Sequence, residues 1–158
     1  MKHSQLRRLI QEVLKPAELY SESAEELLVL TAASESLGGE YIYQVSGPAR
    51  GMFQMEPATE KDILLNYVYY NDNLRSAVSE WVEFPSQGVL KYKQRDPLTY
   101  NLAYQVLMCR IHYRRDKFAL PAKTDVEGMA SVWKRVYNTY QGKGTAKEAI
   151  SKYKGYVR

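Results

Sequence analysis

Glu35-Ser36-Leu37-Gly38-Gly39-Glu40-Tyr41-Ile42-Tyr43-Gln44-Val45-Ser46-Gly47-Pro48-Ala49-Arg50-Gly51-Met52-Phe53-Gln54-Met55-Glu56-Pro57-Ala58-Thr59 is the stretch on which the fold turns. Upstream of it, Glu25 to Ser34 is a largely apolar, helix-like run, and Glu35 stands at its end. Gly38-Gly39 stops that helix, because glycine takes a left-handed backbone at no steric cost. Tyr41-Ile42-Tyr43 and Met52-Phe53 flank the turn signal Ser46-Gly47-Pro48, which predicts a small β-hairpin region over residues 40–55. Pro57 suits the first position of a further helix. The order is therefore a helix, one carboxylate at its end, a glycine-broken β excursion, and a second helix.

Working outward, periodicity predicts helices nearly everywhere else. Leu6, Leu9, Ile10, Val13 and Leu14 share one face of a first helix, which Pro16 ends. Ser21 or Ser23 caps the next, with Glu25 and Glu26 favourable to the dipole of its first turn. Leu27, Leu28, Leu30 and Ala33 carry it to Glu35. Pro57 opens a helix through Ile63, Leu64 and Leu65. Asn71-Asp72-Asn73 marks a turn before a helix over Leu74, Val78, Trp81 and Val82. Asp96-Pro97 starts a long helix through Leu102, Val106, Leu107 and Ile111. Asp125 starts another through Met129, Val132, Trp133 and Val136, and Thr145 caps a last short one. The expected fold class is mainly α (α+β), one domain over residues 1–158.

The chain has 158 residues, 45% apolar and 25% charged, the composition of a globular domain with a real core. No apolar run approaches the roughly 20 residues that span a bilayer, so no stable membrane insertion is expected. Met1 to Arg8 carries charge with no apolar segment behind it, which does not read as a secretory signal. Cys109, the single cysteine, lies in an apolar helical context and reads as a buried, inert thiol. With one Cys and two His no structural zinc site is credible; neither metal nor cofactor is expected. The net charge of +4 suits any polyanionic partner. No phosphate loop, finger spacing or ribonucleoprotein motif accompanies it, and nucleic acid is not an expected partner.

Glu-Ser at a helix end, followed by Gly47-Pro48-Ala49-Arg50-Gly51-Met52-Phe53-Gln54 and Pro57-Ala58-Thr59, resembles the core of the lytic transglycosylase and goose-type lysozyme group. That group carries Glu-Ser, then Gly-Ala-Arg-Gly-Leu-Met-Gln, then a hydrophobic residue and Pro-x-Thr. The resemblance implies a lysozyme-like fold and cleavage of peptidoglycan between N-acetylmuramic acid and N-acetylglucosamine. It implies Glu35 as general acid/base, with Gln54 beside it. A late element, Ala-x-Tyr-Asn-x-Gly in the family, matches at Tyr137-Asn138, with Gly142-Lys143-Gly144 a little late. By resemblance Tyr137 hydrogen-bonds the catalytic Glu and Asn138 belongs to the site. Ser36, Ser46, Gly51, Gln54, Met55 and Glu56 complete the expected substrate-binding set. The likeness is dense over residues 27–65, thin over 97–113 and moderate over 129–144.

The chemistry agrees with these residue types. Breaking a glycosidic bond needs a proton at the leaving oxygen, and a carboxylic acid delivers it near neutrality only when burial raises its pKa. Gly51 permits positive φ and close backbone approach, and the Gln54 amide suits hydroxyl or acetamido groups.

One departure separates two mechanisms. Goose-type lysozymes carry an Asp where Glu56 stands, whereas transglycosylases have an apolar residue there. An inverting hydrolase needs a second carboxylate roughly 6.5–9.5 Å from the acid. A transglycosylase uses one Glu as acid and then as base on the sugar's own C6 hydroxyl, giving a 1,6-anhydromuramoyl product. Glu56 beside Pro57 also suits a helix start, and that reading is slightly favoured. Of the 14 tyrosines, most are expected in half-buried packing, with one or two near Tyr41 or Tyr43 lining a cleft.

The expected partner is thus the peptidoglycan glycan strand. Compact size and the Met-Glu-Pro-Ala-Thr variant resemble phage-encoded enzymes. Delivery would come from a holin, with the enzyme held in the host cytoplasm until release, or from the virion. The alternatives are a muramidase using Glu56, a non-catalytic glycan-binding or virion module, and a basic nucleic-acid binder motivated by Arg110, Arg114 and Arg115.

Overall fold

The computed structural model describes residues 1–158 and is mainly helical. Helices α1 (His3–Leu14), α2 (Glu22–Ser36), α3 (Pro57–Asn66) and α4 (Asp72–Val78) precede a two-stranded sheet, β1 (Val82–Glu83) with β2 (Lys91–Tyr92). Helices α5 (Pro97–Tyr100), α6 (Leu102–Arg114), α7 (Val126–Val132) and α8 (Ala146–Tyr156) follow. Val68–Tyr70 is a 3₁₀ turn, and Trp133–Asn138 continues α7 as a wider π-wound segment.

Helix α2 is central, with eleven of its fifteen residues buried. A helix that is apolar all round must be covered on every side, and α1, α6, α7 and α8 pack against it. Of the two candidate caps, Ser21 is the one used: its hydroxyl accepts from the Ala24 amide at 3.0 Å. Arg7 on α1 donates to Glu25 at 3.0 Å and to both oxygens of Glu26 at 2.9 and 2.8 Å. Tyr153 of α8 also donates to Glu26. Burial alone would raise the Glu26 pKa, but Arg7 and Tyr153 hold it below the usual carboxylate range. This network fixes three helices at the α2 N-terminus, the end opposite Glu35. Thr145 closes a capping box with Glu148 at the start of α8.

Several expectations need correction. Residues 40–55 form no strand: the chain pairs antiparallel only through single bridges, Tyr43 with Arg50 and Arg50 with Met55. Positive φ at Ser46, Gly51 and Gln54 breaks the extended backbone that a ladder requires. The true strand pair lies where helix was expected, with Val82 opposite Tyr92 and Glu83 opposite Lys91. Its turn signal is Pro85-Ser86-Gln87-Gly88, with φ +74° at Gly88. Helix α4 accordingly ends at Val78, short of Trp81. The helix expected from Asp96 is cut at Asn101, whose side-chain oxygen Oδ1 caps α6 by accepting from the Tyr104 backbone amide at 3.0 Å. Tyr70, Tyr92 and Tyr100 are exposed and stand outside the half-buried packing expected of most tyrosines.

Candidate active site

Glu35 lies one residue before the end of α2, where the chain reverses through Leu37 at φ +53° and Gly38 at φ +74°. The reversal thus begins on a leucine, ahead of the glycine pair. The Gly38 amide returns to the Ala32 carbonyl at 2.9 Å and closes the helix. Lys152 of α8 donates to the Ser34 carbonyl at 3.0 Å, a cation at the negative pole of α2.

The Glu35 side chain is half-buried. Burial raises its pKa to about 7, against the pull of the Trp133 hydrogen bond and of Lys152. The Trp133 indole N–H donates to Glu35 Oε1 at 2.9 Å. A proton on this carboxyl therefore belongs on Oε2, since Oε1 is already accepting. The Tyr41 hydroxyl donates to the Glu35 backbone carbonyl at 2.8 Å, tying the following loop to the helix end. The arrangement is a single carboxyl, neutral up to about pH 7, rigidly oriented and reachable from solvent.

Tyr137 was expected to hold Glu35 and does not hydrogen-bond it. Its ring stacks on Tyr113 with centroids 5.5 Å apart and meets the His112 edge at 5.1 Å. Its buried hydroxyl has no conventional partner. Trp133, four residues earlier, supplies the donor to Glu35 instead. Glu35 and Trp133 lie 98 residues apart, so no local spacing announces this contact.

Gln54 is nearly buried at φ +48°, and its amide donates to the Gly51 carbonyl at 2.8 Å, which shapes the turn. Ser36 is fully buried and is not a substrate contact: its hydroxyl donates to the Met52 carbonyl at 2.6 Å and accepts from the Gly39 amide at 2.8 Å. It joins the α2 end to the 51–54 turn. Met55, 3% exposed, belongs to the core rather than to a binding surface. Gly51 is buried as well. A Cβ there would lie 2.4 Å from the Leu98 carbonyl oxygen, so the glycine serves chain packing and not approach of a sugar. Glu56 is exposed at the position before Pro57 at the start of α3, without a capping bond. Ser46 is exposed at a loop tip with φ +59°.

Asn138 ends the π-wound segment and accepts from Lys134 Nζ at 2.7 Å; the same ammonium donates to the Gly142 carbonyl at 2.7 Å. The late glycines are explained by this fold-back. A Cβ on Gly144 would meet the Trp133 ring at 2.8 Å and the Asn138 amide at 3.2 Å. Asn138 thus holds the loop that covers the tryptophan contacting Glu35.

Cys109 is buried and burial pushes its thiol pKa up, as an inert role requires. Arg110 donates to the Leu19 carbonyl, Arg114 to the Tyr67 hydroxyl and Arg115 to Asp62. These three arginines are occupied in packing the fold. No helix is long and apolar enough to cross a membrane.

The part played by Trp133 is open to direct test. Trp133→Phe keeps an aromatic ring in the core and removes the donor to the ionised carboxylate. The Glu35 pKa should rise further above about 7. Carboxyl-carbon NMR titration reads this without reference to activity; an unchanged midpoint would deny the hydrogen bond any influence on ionisation.

The chain matches no protein-family model, no curated protein and no solved structure.

Proposed function

We propose that this protein is a lysozyme-like peptidoglycan glycosidase of the lytic transglycosylase type. Its substrate is the β-1,4 bond between N-acetylmuramic acid and N-acetylglucosamine. The observation that carries the proposal is Glu35: a half-buried, solvent-reachable carboxyl whose pKa is raised to about 7 and whose orientation is fixed by Trp133. A general acid is most useful when its pKa lies near working pH. Residues 35–59 supply the second support, through their resemblance to the family core.

In the proposed reaction Oε2 of Glu35 gives its proton to the glycosidic oxygen, and the bond to C1 of the muramoyl unit breaks. The ionised Glu35 then takes the proton of that sugar's C6 hydroxyl as O6 bonds C1. The products are a 1,6-anhydromuramoyl end and a free 4-hydroxyl, with no water consumed and Glu35 reprotonated. The indole N–H stabilises the carboxylate between the two steps. Burial raises the Glu35 pKa, while Trp133 and Lys152 pull it down. Glu56 is exposed in the position of a helix-start charge before Pro57, which supports the one-carboxylate route over a muramidase that uses Glu56. Delivery by a phage virion or through a holin is part of the same proposal.

The test is mass spectrometry of muropeptides released from purified peptidoglycan by the wild type and by Glu35→Gln. Products lighter by one water than the hydrolytic ones, lost in the variant, are expected. Reducing-end muramic acid would instead assign a muramidase. No release by the wild type would overturn the glycosidase.

A further inference from the structure

The loop that follows Glu35 leads directly to an exposed aromatic pair. Tyr41, tied to the Glu35 carbonyl, is 41% exposed; two residues on, Tyr43 is 53% exposed. Two residues of chain reach at most about 7 Å. Tyr43 does not stand alone: its hydroxyl shares a 2.9 Å hydrogen bond with that of Tyr100, which is 56% exposed and comes from α5. The same two segments are joined again by Arg50, which donates to Asp96 at 2.8 Å. The Arg95 guanidinium lies 5.7 Å from the centre of the Tyr100 ring. Two tyrosines from distant parts of the chain are thus joined at their hydroxyls and remain about half exposed, with Arg95 over one face of Tyr100.

We propose that Tyr43 and Tyr100 form a stacking subsite for a pyranose ring of a β-1,4-linked N-acetylhexosamine strand whose neighbouring bond lies at Glu35. The inference rests on the glycosidase reading of Glu35. A pyranose presents a face of C–H groups and a rim of hydroxyls. A tyrosine offers an apolar ring face and a polar edge, so each part of the sugar finds a counterpart. The partly exposed Arg50–Asp96 pair adds charge-assisted partners for the hydroxyl rim. Two ring faces fall far short of the about 800 Å² per side that a standard protein interface buries. Continuity with Glu35 through Tyr41 also favours a strand running from one to the other.

The test uses the full chain carrying Glu35→Gln, slowed at least about 100-fold so that the ligand persists, titrated calorimetrically with the β-1,4 hexamer of N-acetylglucosamine. Adding Tyr43→Ala and Tyr100→Ala together should weaken binding about ten-fold. The corresponding Tyr→Phe pair keeps both faces and should bind close to the parent. Raising the salt should leave the affinity nearly unchanged, as stacking is not screened. Circular dichroism confirms folding of each variant. Equal affinity with and without the alanines overturns the subsite, as does undetectable binding by the parent. Wild-type muropeptide release with tyrosine-independent affinity removes the subsite and leaves the glycosidase. Tyrosine-dependent binding without release removes the glycosidase and leaves a sugar-binding surface.

Discussion

Glu35→Gln is expected to lower the rate of muropeptide release by about 100- to 10,000-fold, the range supplied by a positioned general acid. The substitution removes the only group in the site whose proton is held to about pH 7. It leaves the surroundings in place, because a glutamine oxygen still accepts from the Trp133 indole. A loss of rate with an unchanged fold is therefore the signature. Wild-type activity should also fall as pH rises through about 7, where the acid form disappears.

The same variant has a stability signature that separates burial of charge from catalysis. The folded Glu35 pKa, about 7, lies above the unfolded value of about 4.3. Within that window the folded chain keeps a proton that the unfolded chain releases. The stabilisation contributed by the proton is complete below about pH 4 and is lost as pH rises through about 7. Glutamine does not titrate. Glu35→Gln should thus match the wild type near pH 4 and exceed it at pH 8 by on the order of 2 kcal/mol, discounted for the solvent-facing side. Urea denaturation at the two pH values measures this. A difference independent of pH would mean that Glu35 is not desolvated.

The parts of this arrangement that sequence reveals are those set by local rules. The α2 apolar run, its serine cap and the carboxylate at its end all follow from periodicity and capping chemistry. Pro57 at the head of α3, Asp125 before α7 and Thr145 before α8 follow in the same way. Ser36 and Met55 are buried, as is Gly51; a motif gives residue types but not the direction each faces. Burial decides that direction, and it comes from partners distant in sequence, for Gly51 Leu98 and Gln105. Trp133, Lys152 and Tyr100 were overlooked for the same reason. Their importance arises where α7, α8 and α5 arrive beside the 35–50 segment, and no local spacing encodes that meeting. The β1–β2 hairpin is the exception: its proline–glycine turn is legible, but the apolar series Leu74, Val78, Trp81 and Val82 also fits the spacing of a single helix.

Gly51→Ala is expected to cost about 3 kcal/mol of stability, and the reason lies in what surrounds the new methyl group. Gly51 has φ +76°, where any side chain is strained by about 1–2 kcal/mol. The added Cβ would also stand 2.4 Å from the Leu98 carbonyl oxygen and 2.8 Å from the Gln105 amide group. Neither neighbour is free to yield. Leu98 presents backbone, and Gln105 is held at both ends: its Oε1 accepts from the Met52 amide at 2.8 Å, and its Nε2 donates to the Thr99 carbonyl at 3.0 Å. Relief would require breaking a buried hydrogen bond or shifting α5, adding about 1–2 kcal/mol. For a chain of this size the sum corresponds to a fall in melting temperature of roughly 6–12 °C. The urea midpoint should drop with an unchanged slope. The consequences reach the site, because Met52 anchors Ser36 at the end of α2, and Arg50 precedes the altered residue. Were Gly51 instead a sugar-approach position, Gly51→Ala would weaken binding of the N-acetylglucosamine hexamer while leaving the midpoint in place. Measuring the urea midpoint beside hexamer affinity decides between a packing glycine and a binding glycine.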